Sequence, residues 1–265
     1  MSIISKILEA KQAEVDEMEE IANIPSCKRR NFVESLLSQK PSFIAEIKPK
    51  SPSEGEILAP EAIPEIVKTY DQFASAISVL CDKQFFGGGY DLLSEVAAQT
   101  DKPLLAKEFI ISEKQIARAV TSGASAILLI AAIVEEDVLT RFIHEAIKLD
   151  LSVLLELHTM DDIEKAASAM KGLSAEENLR VVLGINNRDL DTLNISLDTT
   201  TKLVPKIKEK IGDNNLLISE SGISSPEDVR ALSQFVDGFL VGTSILKSSD
   251  PGVFFSSLKT ACDQK

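Results

Sequence analysis

Cysteine is scarce in this sequence and scattered where it occurs. The three cysteines, Cys27, Cys81 and Cys262, are odd in number, widely spaced and never in a Cys-x-x-Cys arrangement. That argues against a disulfide framework and against a zinc site, and for a reduced, cytoplasmic setting with no metal. Long apolar runs are missing too. No stretch approaches the roughly 20 apolar residues of a membrane span. Lys6, Glu9 and Lys11 interrupt the apolar residues of Met1 to Glu20, which therefore lacks the unbroken core of a signal peptide. Positive charge is in deficit: 28 Lys and Arg against 41 Asp and Glu leave a formal net charge of -13. Such a field repels phosphate backbones, and a cluster as short as Lys28-Arg29-Arg30 does not reverse it. Neither nucleic acid nor membrane is expected as a partner. A small anionic ligand would have to be gripped by individual cations and backbone amides, which makes the place of each lysine and arginine informative.

What is present is a repeat. With 44% hydrophobic and 26% charged residues, the chain has the composition of a globular protein with a full core. Eight short apolar runs lie at 43–47, 76–80, 104–106, 126–130, 153–155, 181–185, 216–218 and 238–241. They alternate with helix-period segments at 60–70, 90–99, 112–122, 135–149, 160–170, 196–211, 225–233 and 251–259. Runs that are apolar throughout suit strands buried on both faces, and so a parallel sheet. Eight strand-helix units close such a sheet, so the expected fold is α/β, a single (β/α)8 TIM barrel. A doubly wound open sheet is the alternative, disfavoured by the lack of an early Gly-x-Gly-x-x-Gly turn. The expected organisation is an N-terminal helical extension over residues 1–41 and a barrel over 42–265, one domain overall, with no residues left for a second barrel. In the extension, Ile3, Ile4, Ile7, Leu8, Val15 and Met18 mark roughly one helical face. Burial against the barrel is the plainest reading of that stripe; a lid over the active site and a partner-binding helix are the sharper ones.

In a parallel barrel the catalytic groups stand at the C-terminal ends of the strands. Here those ends are unusually polar. They carry Glu46 and Lys48, Lys107 and Glu108, Glu156, Asn186 to Arg188, Ser219 to Gly222, and Gly242 to Ser244. Strand alternation puts Glu46 and Lys48 on one face. One such pair could be a structural ion pair, but charges from several strands at the same end are costly to bury unless something binds there. Gly222 and Gly242, beside Ser221 and Thr243, suit a phosphate site after the last two strands.

These residues resemble a family. Ile44-Ala45-Glu46-Ile47-Lys48, followed by Ser51-Pro52-Ser53 and Gly55, is similar to the first-strand signature of indole-3-glycerol phosphate synthase. Further similar segments run in order along the chain: Phe85-Phe86-Gly87-Gly88, Lys107-Glu108-Phe109-Ile110, Glu156-Leu157-His158, Gly184 to Leu190, Ser219 to Ile223 and Val241-Gly242-Thr243. The resemblance implies ring closure with decarboxylation and dehydration of 1-(2-carboxyphenylamino)-1-deoxyribulose 5-phosphate to indole-3-glycerol phosphate, a step of tryptophan biosynthesis, with no cofactor. It implies Lys107 as general acid, Lys48 on the substrate carboxylate, and Glu156 as the base of the dehydration. Glu46 and Asn186 would orient the lysines and substrate hydroxyls. Ser51, Phe109, Arg188, Glu220 and Ser221 would contact or support the substrate, and Ser221, Gly222, Gly242 and Thr243 would hold its phosphate. A monomer with at most weak self-association is expected.

An ordinary lysine titrates near 10.4 and is a sluggish acid. Burial beside Phe109 would lower Lys107, and Glu46 together with the anionic substrate would raise it; the residues alone leave the net sign open, and with it which lysine donates and which glutamate accepts. Cys81, Gly89, Glu54 and Thr243 stand where the family usually has threonine, serine, lysine and serine. Cys81 has no histidine partner and reads as a small buried residue. His144 reads as a surface residue and His158 as support behind the site. A phosphate-binding isomerase barrel would share the last two strands but leave Lys48 and Lys107 unexplained, and a catalytically silent binder would not need Glu46, Lys48, Lys107 and Glu156.

Overall fold

The eight apolar runs form eight parallel strands: β1 (Ser42–Ile47), β2 (Ala76–Leu80), β3 (Leu104–Lys107), β4 (Ala126–Ile130), β5 (Ser152–Leu157), β6 (Val181–Asn186), β7 (Leu217–Glu220) and β8 (Gly238–Val241). Each pairs with the next in sequence, and β8 pairs with β1 to close the barrel. The computed structural model describes residues 2–22, 24, 29–190 and 192–262; Cys27 and Lys28 lie outside the described residues. Four strands, β3, β5, β6 and β7, run past the apolar limit read from sequence, because the backbone ladder is indifferent to side-chain polarity while a neighbour supplies hydrogen bonds. Lys107 pairs with Leu80, Glu156 with Ile130, and Asn186 with Glu220. The charged residues are thus members of the strands, not of the loops that follow.

Helices follow the strands at Ile63–Phe73, Tyr90–Ala97, Glu113–Thr121, Glu136–Lys148, Met160–Ala169, Asp198–Lys210, Pro226–Leu232 and Pro251–Lys259. Ser112, Thr159 and Ser225 cap three of them with reciprocal capping boxes, which satisfy amides the helices themselves leave free. Pro60 to Ala62 form a 3-10 turn ahead of the first of these helices, not its opening turn. No helix among the described residues is long and apolar enough to cross a membrane.

Strand periodicity divides the core in two. Ile44, Leu105, Leu128, Leu154, Val182, Ile218 and Leu240 fill the barrel interior, while Ala45, Ala106, Leu129, Leu155, Leu183 and Val241 pack outward under the helices. The extension supplies α1 (Ile3–Glu17) and α2 (Phe32–Leu37). Phe32 and Leu36 of α2 join the interior cluster. Ser35 donates to the carbonyl of Ser75, just before β2, so α2 closes the N-terminal end of the barrel. The α1 helix stops at Glu17, and Met18 is an extended cap. Lys114 donates to the carbonyls of Val15 and Met18, meeting acceptors that a helix end leaves unpaired. Of the stripe read from sequence, Ile7 and Val15 are buried and Ile3, Ile4, Leu8 and Met18 are half-buried, with Lys11 buried among them.

Candidate active site

The interior positions continue upward as charges. Two residues beyond Ile44, Leu105, Leu154 and Ile218 stand Glu46, Lys107, Glu156 and Glu220; Asn186 holds the matching place on β6, above Gly184. They meet in one cavity of about 600 Å³ at the C-terminal mouth. Its lining includes every residue singled out from sequence: Glu46, Lys48, Ser51, Lys107, Phe109, Glu156, Asn186, Arg188, Glu220, Ser221, Gly222, Gly242 and Thr243. A second hollow of about 590 Å³, lined by Arg30, Asp71 and residues 97–102, holds none of the strand-end acids.

Lys107 is the hub. Its Nζ lies 3.2 Å from Glu156 and 3.3 Å from Glu220, and Lys48 Nζ lies 2.8 Å from Glu46 Oε1. Both carboxylates on Lys107 are at most 2% exposed, whereas its own side chain is 14% exposed toward the cavity. Burial pushes Lys107 toward the neutral form, but Glu156, Glu220 and Glu46 outweigh it and hold the ammonium above the ordinary lysine range. Phe109 and burial therefore do not make Lys107 a weakened ammonium. For Glu156, burial opposes ionisation, and Lys107, His158 and Asn186 overcome it, so this group is held well below the usual carboxylate range. Burial and the charge of Glu156 push Glu220 up to about 8 despite Lys107. Glu46 is lowered: burial opposes, and Lys48 and Lys107 prevail. Neighbouring acids are thus driven apart, Glu156 as an anion at neutral pH and Glu220 largely as an acid.

At the rim beside β7 and β8, the backbone turns left-handed at Ser221 (φ 65) and Gly222 (φ 87). A side chain on Gly222 would put Cβ 2.6 Å from Ile195 Cγ2. Positive φ at a serine costs on the order of 1 kcal/mol, and Asn187 restrains it. The Asn187 amide donates to Ser219 Oγ and to the carbonyls of Glu220 and Ser221, and its oxygen accepts from the amide and hydroxyl of Thr200. Sequence reading quoted Asn187 but gave it no role. On the expectation from sequence that Ser221 and Gly222 hold a phosphate, Asn187→Ala should raise KM about tenfold with kcat nearly unchanged, because a few hydrogen bonds near 1 kcal/mol each are lost. Steady-state kinetics would show it, and equal losses in kcat would contradict it.

The opposite wall is apolar, with Ile3, Ile4 and Ile7 of α1, Phe86, Phe109 and Leu128. The rings of Phe86 and Phe109 lie 6.0 Å apart, tilted by 34°. His158, 3.2 Å from Glu156 Oε1, stands behind the acid as expected, and His144 is exposed. Cys81 is buried, its thiol donating to the Val79 carbonyl. Glu54 pairs with Lys247. Glu108 reaches the cavity lining, but its carboxylate pairs with Lys11 and not with Lys107.

A family model described as Indole-3-glycerol phosphate synthase matches residues 4–258. A protein of Polaromonas naphthalenivorans named indole-3-glycerol phosphate synthase is 35% identical over 270 residues, covering 97% of this chain and 98% of that protein. The tryptophan biosynthesis protein TrpCF of Helicobacter pylori is 37% identical over 264 residues; the match covers 98% of this chain, which spans 54% of that relative's length. Among solved structures, the tryptophan synthase alpha chain of Legionella pneumophila superimposes with a TM-score of 0.60 at 14% identity, covering 88% of this chain and 95% of that one. At that identity the likeness is one of fold alone.

Proposed function

Because this chain belongs to the indole-3-glycerol phosphate synthase family, we propose that it closes the ring of 1-(2-carboxyphenylamino)-1-deoxyribulose 5-phosphate, releasing carbon dioxide and water. The observation that carries this reading is the Lys107 ammonium held between the buried side chains of Glu156 and Glu220 on the floor of a cavity with one apolar and one glycine-lined wall. The substrate has matching parts: an aromatic ring, a carboxylate, a ketone and a phosphate. The ring lies against Phe86 and Phe109, and its carboxylate meets Lys48. The phosphate lies at Ser221, Gly222, Gly242 and Thr243, with Ser51 and Arg188 beside the sugar chain.

When the ring carbon attacks the ketone, its oxygen becomes an alkoxide, a base far stronger than an amine. A lysine whose pKa is raised keeps its proton against water and the carboxylates, yet yields it to that oxygen. Loss of carbon dioxide restores the aromatic ring. Lys107, once it has regained a proton from solvent, gives it to the hydroxyl so that this leaves as water, while Glu156, an anion at neutral pH, takes the proton from the neighbouring carbon of the newly closed ring. Glu46 fixes Lys48, and Asn186 bonds Glu156. Incubation of purified protein with the carboxyphenylamino sugar phosphate is expected to produce indole fluorescence, and well-folded protein that produces none would end this reading.

Glu220 adds a pH signature. Below about pH 8 it is protonated and adds no charge beside Lys107. Above that it ionises, tightens the hold of Lys107 on its proton, and slows donation. Wild-type kcat is expected to fall on the alkaline side, and Glu220→Gln is expected to lack that fall. Rate profiles from about pH 6 to pH 10 test this; superimposable profiles would rule it out.

A further inference from the structure

Beside the mouth lies a buried charge cluster that the proposed chemistry does not use. Lys11 of α1 is 1% exposed, and its Nζ lies 2.7 Å from Glu14, 3.1 Å from Asp82 and 3.1 Å from Glu108. Asp82 follows β2 and Glu108 follows β3; both are 1% exposed. Each carboxylate also grips the backbone of an aromatic residue. Asp82 Oδ1 accepts from the amides of Phe85 and Phe86, and Glu108 Oε1 accepts from the amide of Phe109. Phe86 and Phe109 are the two rings that face each other across the apolar wall.

We infer that Lys11 is a positioning residue for the aromatic end of the substrate site: its ammonium draws Asp82 and Glu108 together and so sets the spacing of Phe86 and Phe109. This rests on the proposed function in assigning the slot to the substrate's ring. Two buried carboxylates with no cation between them repel each other. Asp82 and Glu108 follow adjacent strands and bond the backbone amides of the rings, so their separation fixes how the paired rings of Phe86 and Phe109 sit in the apolar wall. Lys107 sits one residue before Glu108 and is tied to the same spot, since the Cys81 amide donates to the Lys107 carbonyl. The α1 helix has an independent tether in Lys114, which reaches the Val15 and Met18 carbonyls without touching Asp82 or Glu108. Docking of the helix and setting of the slot can therefore be separated.

The test compares Lys11→Met, Lys11→Arg and Lys114→Met. Methionine keeps most of the stem and removes the charge; arginine restores it. Lys11→Met is expected to raise KM about tenfold or more with a smaller change in kcat, as a misplaced binding wall should. Lys11→Arg recovers most of the loss, and Lys114→Met leaves KM near wild type. The same proteins are titrated with the substrate whose ketone has been reduced to an alcohol, a probe that binds without reacting. Its affinity should fall in step in Lys11→Met, which keeps the test meaningful even on protein that turns nothing over. A wild type that fails to turn over but binds this probe tightly, with Lys11→Met binding it weakly, would unseat the reaction and leave the slot. Unchanged probe affinity in Lys11→Met, or an equal loss in Lys114→Met, would overturn the role given to Lys11. If Lys11→Met does not fold, Lys11→Gln and the Asp82→Asn, Glu108→Gln pair are measured; if uncharged partners leave probe affinity unchanged, the role is likewise overturned.

Discussion

Lys107→Ala is expected to reduce kcat by about three orders of magnitude or more, since it removes both the proposed proton donor and the charge proposed to meet the nascent alkoxide. Lys107→Arg separates these two contributions. Arginine keeps a cation between Glu156 and Glu220 but does not give up a proton within the working range. It should fold like wild type, bind substrate within a few-fold, and lose turnover almost as completely as alanine. An active Lys107→Arg protein would mean that charge alone suffices there and that another group is the acid.

The alanine variant also makes a prediction about stability whose sign follows from linkage. In the wild type, Lys107 helps hold Glu156 low, and that contribution is present above the unfolded carboxylate pKa and lost as pH falls through the folded value. Without Lys107, Glu156 loses its principal cation and Glu220 its only ion-pair partner among the described residues, so both folded pKa values rise. A group raised in the folded state contributes stability at low pH and loses it as pH climbs through the raised value. The deficit of Lys107→Ala should therefore be larger near pH 8 than near pH 5. Thermal unfolding at the two values checks this, and equal deficits would contradict it.

The barrel was legible because its signal is local: eight apolar runs and the helix signals between them. The floor of the site was legible for a related reason. Period-2 alternation carries Ile44 to Glu46 and Leu154 to Glu156 along one face, so a charged residue just past an apolar run is already assigned to the interior. What escaped was everything decided by partners far along the chain. The sign of the Lys107 shift depends on Glu156, 49 residues away, and on Glu220 and Glu46. Glu108 looked equivalent to Lys107 because it is next to it, yet its carboxylate pairs with Lys11, 97 residues distant. Asn187 works on backbone carbonyls 33 and 34 residues off, which no side-chain pattern reveals. Lys11 did leave a trace. Its spacing of four from both Ile7 and Val15 puts a lysine on the buried stripe of α1, a position that calls for a buried counter-charge.

Gly184→Ala is expected to lower the stability of the protein, although the change is one methyl in the middle of a strand. Gly184 has no special backbone angle; its requirement is space. A Cβ there would lie 2.1 Å from Glu220 Oε1 and 3.2 Å from Leu154 Cδ1. Glu220 is 1% exposed and lies on the floor of the cavity, so its carboxylate is the part of the contact that gives way. The carboxylate, whose other oxygen lies 3.3 Å from Lys107, must shift by about an ångström to restore an ordinary contact distance. Overpacking adds an expected loss of about 1–3 kcal/mol of stability. Shortening the acid should relieve the clash, so Gly184→Ala combined with Glu220→Asp is expected to be more stable than Gly184→Ala alone. That coupling appears in a double-mutant cycle of unfolding free energies. If the two changes simply add, the methyl and the carboxylate do not compete for the same space, and the close packing that sets Glu220 against Lys107 is not what makes this position a glycine.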